Sequence, residues 1–268
     1  MKVYLLLTVL LFSKNVHSQN EKFSIDQIQT KLDSIKAEGN LLYSFENAAW
    51  NSTDLASQNS YLKKNFGTYL TYKTNDTIKT VILDLDHKEV IVEYNFINSE
   101  KKPCKEIFIP RDLNQTEQEL YALRFNLYQQ LDDEKYEVRI PDGYNLNFIT
   151  IPFNDKYKTY VITGASEWGV IPFGNDYLFI TDNKGQILES KKFHVSFIPQ
   201  QTSLSEGKKI VRAMHSHLKT NPFISATDIC TFKLYAPYSD IDEFAVYSPE
   251  FKASFIYNYK NDTLIQSE

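Results

Sequence analysis

The feature of this sequence that most limits its fold is a change in the spacing of apolar residues near Thr68. Upstream, the apolar residues of 25–35 recur at three- and four-residue intervals, which predicts one face of a helix. Ser24 can cap that helix, and Gly39 is expected to end or interrupt it. Downstream the period becomes two, which predicts a β-meander. Its strands are predicted at 69–72, 80–85 and 90–96.

The composition also favours a chain rich in strands. Tyr and Phe number 18 each, while Gly numbers only 8, and aromatic residues are enriched in strands. Apolar residues make up 42% of the 268-residue chain, which is enough for a substantial core. The sequence therefore predicts an α+β or α/β protein: an N-terminal helix and β-meander region, then a mixed α/β domain.

Residues 1–18 have the pattern of a secretory signal peptide. Lys2 supplies the basic end, residues 3–12 are almost all apolar, and Ser18 precedes a suitable cleavage point at Gln19. A run of about ten apolar residues is too short to span a bilayer core of roughly 30 Å. We therefore expect a secreted or periplasmic protein without a membrane span in its mature chain. An uncleaved anchor helix is the alternative.

The charge of the chain argues against nucleic acid as a partner. The formal net charge is −5, and it becomes −7 when Lys2 and Lys14 leave with the signal peptide. Binding of phosphate backbones needs clustered Lys and Arg. We therefore expect that nucleic acid is not the main partner.

The mature chain contains two cysteines, Cys104 and Cys230. They can form a disulfide if the fold brings them together. A buried free thiol at Cys230 is the other possibility. The sequence leaves both open.

The chain divides most naturally at residues 152–158. Residues 19–152 are predicted to form an α+β region of unknown role. A helix in this region opens at Asp112 or Asn114 and carries leucines at helical spacing. Residues 159–268 contain the segments with chemical signals.

The second region has a regular order of predicted elements. A hairpin turns at 183–185, and a strand or short helix then leads into His215. A helix follows Ser225, and two strands are predicted at 243–248 and 253–259.

The strongest chemical signal is His215-Ser216-His217, followed by seven residues and then Ser225-x-x-Asp228. Residues i and i+2 of a strand project from the same face, so the two imidazoles lie side by side. Together with a carboxylate from the next element they can form a three-ligand site. Catalytic zinc takes three such ligands and leaves its fourth position to water. His215, His217 and Asp228 can therefore form a metal site of this kind.

This spacing resembles the signature of the JAMM (MPN-type) metalloproteases, which is His-x-His, seven residues, Ser-x-x-Asp, and an upstream Glu. The resemblance covers roughly residues 159–268. It departs at Leu218, where the family usually has Pro. It implies an exported zinc-dependent peptidase or isopeptidase in which His215, His217 and Asp228 hold zinc. A metal-activated water would attack an amide of a protein or peptide substrate.

The same resemblance implies roles for two further residues. Ser225 would help to hold the oxyanion, and an upstream Glu would act as general base. Glu167 opens an apolar segment that contains glycine and is the first candidate; Glu189 is the second. His194 lies five positions after Glu189, so the two face opposite sides of a regular strand. His194 is either a partner that orients a ligand, an extra ligand, or a hydrogen-bonded core residue.

A non-catalytic interpretation competes with the peptidase. Ser225-x-x-Asp228 is also a capping box, and one Asp cannot easily cap a helix and bind a metal together. Such a protein would be a binding or structural protein that retains the JAMM-like fold. A secreted effector-type hydrolase is the third possibility.

Overall fold

The computed structural model describes residues 23–203 and 210–267. Its helices are α1 (Ile25–Gln58), α2 (Ser60–Asn65), α3 (Gln115–Leu131) and α4 (Ala226–Tyr235). Its strands are β1 (Thr68–Thr74), β2 (Thr77–Leu83), β3 (Glu89–Ile97), β4 (Lys105–Ile107), β5 (Arg111–Asp112), β6 (Tyr144–Phe153), β7 (Lys156–Ala165), β8 (Val170–Gly174), β9 (Tyr177–Thr181), β10 (Ile187–Lys192), β11 (Phe197–Gln201), β12 (Arg212–Ser216), β13 (Glu243–Ser248), β14 (Ala253–Asn258) and β15 (Thr263–Ser267). No helix among these residues has the length and apolarity needed to cross a membrane. The predicted signal peptide lies outside the described residues.

The strands form four sheets. One pair of neighbouring strands is parallel, and the other pairs are antiparallel. The N-terminal sheet has the order β1-β2-β3-β4, with β5 also paired to β3. The central sheet has the order β10-β9-β7-β6, and β8 with β11 forms a separate ribbon. The C-terminal sheet has the order β12-β13-β14-β15, in which β12 runs parallel to β13. The coarse α+β prediction is thus confirmed, and strands make up most of the regular structure.

The first helix is longer than the sequence predicts. The predicted cap is present, because the Ser24 hydroxyl accepts from the backbone N–H of Gln27 and the Gln27 side chain accepts from the N–H of Ser24. The predicted break at Gly39 is wrong, since α1 continues without interruption to Gln58. A Cβ at Gly39 would lie 2.7 Å from the Cβ of Ile229 and 3.1 Å from the carbonyl oxygen of Ala226. Gly39 therefore allows α1 and α4 to approach closely.

The hydrophobic core is continuous across the predicted domain boundary. Residues 152–158 form the turn and first pairs of the β6–β7 hairpin, in which Ile151 pairs with Lys158. The largest buried cluster joins Leu32 of α1 and Phe96 of β3 to Phe244 of the C-terminal sheet. The core therefore does not divide at this point of the chain.

The two cysteines are free and lie in different environments. Cys104 is exposed, whereas Cys230 is buried within α4. Of the two possibilities that the sequence leaves open, the structure has the buried free thiol.

Gly39→Ala gives a test of the close contact between α1 and α4. Helix propensity alone predicts that alanine stabilises the helix by about 1 kcal/mol. The contact with Ile229 predicts the opposite sign, a loss of about 1–3 kcal/mol, because the new methyl group forces the helices apart. Chemical denaturation of the purified chain measures this difference.

Ala37→Gly is the matched control, because Ala37 is exposed on the same helix. It should cost about 1 kcal/mol through propensity alone. A Gly39→Ala variant more stable than the parent would contradict the close packing of the two helices.

Candidate metal centre

Strand β12 presents the two histidines of the His-x-His motif. His215 lies in β12, and His217 continues the pairing just beyond it, where its N–H donates to the carbonyl of Tyr247 at 2.9 Å. Their rings stack with centroids 5.0 Å apart and planes 17° apart. As predicted from the strand period, both imidazoles leave the same face. His217 donates through Nδ1 to the carbonyl of Phe223 at 2.6 Å, so its Nε2 lone pair is free to bind an ion.

The first turn of α4 presents Asp228. The Ser225 hydroxyl accepts from the N–H of Asp228 at 3.0 Å, while Oδ2 of Asp228 accepts from the N–H of Ser225 at 2.9 Å. This is the predicted capping box. The cap uses Oδ2, while Oδ1 has no hydrogen-bond partner and lies 3.4 and 3.5 Å from Nε2 of His194 and His215. The cap therefore leaves one oxygen of Asp228 facing the histidines.

His194, in the segment between β10 and β11, joins these groups. Its Nδ1 donates to Oδ1 of Asp176 at 2.5 Å, which directs Nε2 towards His215 and His217. The other oxygen of Asp176 accepts from the Thr227 hydroxyl. Of the three roles that the sequence leaves open, the geometry matches the extra ligand.

The four side chains bring their donor atoms into one small space. The three Nε2 atoms lie 2.8–3.1 Å apart, and carboxylate oxygens of Asp228 lie 3.3–3.5 Å from them. A zinc ion with bonds of about 2.0–2.1 Å would separate its four ligands by roughly 3.3 Å. None of the four residues is more than 9% exposed. The group His194, His215, His217 and Asp228 can therefore hold a metal ion.

The electrostatics of the group also favour a cation. Burial lowers the pKa of His215 to about 4, against the pull of the Asp228 carboxylate. Burial acts in the same direction on His194, but the carboxylates of Asp176 and Asp228 outweigh it and raise its pKa to about 9. The pKa of Asp228 is held well below its usual range, because the three histidines overcome the effect of burial. The carboxylates of Asp176 and Asp228 therefore favour a positive charge within the group.

The predicted catalytic residues do not join this group. Ser225 is buried beside Asp228, where its hydroxyl donates to Oδ2 at 2.8 Å and lies 2.8 Å from the Thr227 hydroxyl. Glu189 is exposed on β10, and Glu167 is exposed in the loop 166–169. The structure thus keeps Ser225 near the candidate ligands but brings neither glutamate among them.

The contacts of the neighbouring Trp168 show where Glu167 lies. The Trp168 ring packs against Tyr238, with centroids 4.8 Å apart. Tyr238 follows the C-terminal end of α4, whereas Asp228 lies in its first turn. The ten residues of α4 span about 15 Å. Glu167 and the metal group are therefore associated with opposite ends of this helix.

Asp176 is the site residue that the sequence reasoning missed. It lies 51 positions before its partner Thr227, in a short connection between β8 and β9. Metal-binding histidines usually donate their second ring N–H to a carboxylate or carbonyl. Which acid accepts it here could be found only from the fold.

Comparison of the chain with protein-family models, curated proteins and solved structures found no match. The resemblance to JAMM metalloproteases therefore remains a prediction from the spacing of four residues.

His194→Ala tests whether His194 binds the metal. As a ligand, His194 should contribute as much to metal binding as His215 does, and its loss should reduce the metal content of the purified chain to near zero. Asp176→Asn should have a milder effect, of about 10–100-fold in affinity, because it acts through His194. Elemental analysis and a competition titration with a chelator measure both effects.

His87→Ala is the matched control. His87 lies outside the group, and its Nδ1 is 2.8 Å from the Tyr121 hydroxyl. This variant should retain full metal content. Retention of the metal by His194→Ala would show that the centre has three ligands.

Proposed function

We propose that the protein is a non-catalytic binding or structural protein that holds one zinc ion at a closed centre formed by His194, His215, His217 and Asp228. The observation that carries this proposal is the convergence of four buried protein donors at the spacing of a tetrahedron. Structural zinc sites use four protein ligands, whereas catalytic sites leave one position to water. Here His194 takes the position that water would need.

The donor set supports zinc among the common metals. Three imidazole nitrogens and one carboxylate oxygen form a tetrahedral site, which zinc accepts readily. Calcium and magnesium prefer oxygen ligands in larger or octahedral shells. The single negative charge of Asp228 leaves the occupied centre with a net charge of about +1, which Asp176 can offset through its hydrogen bond to His194.

The ion would cross-link three segments that are distant in sequence. His194 follows the central sheet, His215 and His217 belong to the C-terminal sheet, and Asp228 begins α4. The chain has no disulfide to perform this task. Because a metal that binds only the folded state contributes its binding free energy to stability, zinc here would replace a covalent cross-link. With the signal peptide predicted at residues 1–18, we propose that this takes place outside the cytoplasm.

The peptidase predicted from the resemblance is the weaker proposal. It requires an open coordination position and a base within hydrogen-bond reach of the attacking water. The fourth position is taken by His194, and both candidate bases are exposed outside the group. These two features favour the non-catalytic interpretation.

Zinc removal tests the structural role of the ion. The purified chain should contain one zinc per molecule, and chelation should lower its melting temperature by roughly 10 °C or more, since 1 kcal/mol corresponds to about 2–4 °C at this size. Cobalt(II) in place of zinc should give the intense visible absorption of a four-coordinate ion, and that spectrum should not respond to azide. A shift on addition of azide would reveal an open position and contradict a closed centre.

A turnover assay tests the competing peptidase. The zinc-loaded chain should hydrolyse neither a peptide library nor an isopeptide-linked substrate above the rate of a His215→Ala control. Glu167→Gln should leave zinc content and stability unchanged. Hydrolysis that requires both zinc and Glu167 would establish the peptidase and overturn the non-catalytic proposal.

A further inference from the structure

A second site lies at the end of α4 that is opposite the metal centre. A cavity of about 220 Å³ opens between α1, β1, the β6–β7 hairpin and the last turn of α4. Its lining includes two carboxylates, three aromatic rings and two amides, from Glu46, Asp54, Trp50, Tyr69, Asn145, Asn147 and Tyr235. The cavity shares no residue with the metal group, so what it binds is independent of the function proposed above.

Glu46 is the unusual member of this lining. It projects from α1 and is only 3% exposed, yet it forms no ion pair among the residues that the structure describes. Burial disfavours its ionised form, whereas the Asn147 side chain and the charge of Arg124 favour it. Buried acids are rare unless they are paired. A positive charge in the cavity would supply the missing partner.

Arg124 is not free to become that partner. Its Nη1 donates to the carbonyl of Tyr69 at 2.8 Å, and its guanidinium lies 5.1 Å from the centre of the Tyr69 ring. A second cation–π contact joins it to Tyr128 at 5.6 Å. These contacts hold Arg124 against Tyr69, so Glu46 remains open to a ligand on the cavity side.

The aromatic residues of the lining favour a cationic ligand over a neutral one. Trp50 and Tyr235 line the cavity with ring centroids 5.4 Å apart. Trp168 and Tyr238 continue this cluster at the surface, where they are 70% and 50% exposed. The negative faces of such rings attract ammonium groups, and quaternary ammonium ligands are commonly bound in aromatic cages.

From this geometry we propose that the cavity binds a small organic ammonium ion, with Glu46 as its counter-charge and Trp50, Tyr69 and Tyr235 as its aromatic walls. The volume limits the ligand to a small molecule or the end of a side chain, because drug-sized pockets begin at about 300 Å³. A metal ion fits poorly, since the lining offers no histidine and only Asp54 at the rim as a second carboxylate.

Tryptophan fluorescence can report binding directly. The chain contains two tryptophans, and both Trp50 and Trp168 belong to this cluster. Titration of the whole chain with choline should give a saturable change in emission. The neutral isostere 3,3-dimethylbutan-1-ol has the same shape without the charge, and it should bind at least about tenfold more weakly.

Glu46→Gln keeps the shape of the side chain and removes its charge. It should raise the dissociation constant for choline at least about tenfold and leave that of the neutral isostere unchanged. Glu119→Gln, at an exposed position of α3, is the matched control and should bind choline as the parent does. Equal binding of choline and its isostere, equal binding by Glu46→Gln, or no saturable response to choline would each overturn the proposal.

The pH dependence of choline binding gives a second measurement if Glu46→Gln folds poorly. Burial raises the pKa of Glu46 to about 7, against the charge of Arg124 and the hydrogen bond from Asn147. The other titratable or charged groups around it are Asp54, Tyr69, Arg124, Cys230 and Tyr235. Burial raises the pKa of Tyr69, Cys230 and Tyr235, so these groups stay neutral near pH 7.

Glu46 must therefore lose its proton before it can pair with choline. Binding by the parent chain should strengthen as the pH rises from 6 to 8, by a factor that approaches tenfold if Glu46 is the group that titrates. Affinity that is flat or falls over this range would overturn the role of Glu46.

Discussion

Three imidazole nitrogens and the carboxylate oxygens of Asp228 share one buried space at 2.8–3.5 Å, and a positive charge among them relieves the repulsion between their lone pairs. His194 and His217 each donate through Nδ1 to a fixed acceptor, which turns their Nε2 atoms to the centre of the group. Water cannot relieve this convergence, because the residues are buried. The group can therefore hold a metal ion, and its four residues join the central sheet, the C-terminal sheet and α4.

Packing close to the candidate ligands fixes their positions. Gly39 lets α1 lie directly against α4, and this contact supports the helix turn that carries Asp228. The parallel pairing of β12 with β13 holds the backbone of His215, and Phe173 and Phe244 pack against its ring at 5.4 and 5.0 Å. A ligand set built on strands and a capped helix is more rigid than one built on loops. His194 is the exception, and Asp176 compensates by fixing its ring.

The sequence predicted what local spacing determines. Apolar periodicity placed the helix that Ser24 caps and the strands of the meander, and the two-residue period placed His215 and His217 on one face. The prediction failed where contacts between residues that are distant in sequence determine the structure. Gly39 breaks many helices, but here the space beside Ile229 requires it. Neither His194 as a ligand nor Asp176 as its partner could be derived, because their meeting with α4 depends on the packing of three separate elements.

Two deeply buried carboxylates near α4 show how the surroundings of an acid indicate its role. Asp228 is surrounded by three histidines and two cap donors, so burial fails to protonate it and its pKa stays low. Glu46 has one amide and a distant guanidinium, so burial prevails and its pKa rises to about 7. A buried acid beside a cavity and aromatic rings is better explained by a cationic ligand than by packing, since packing alone has no use for its charge.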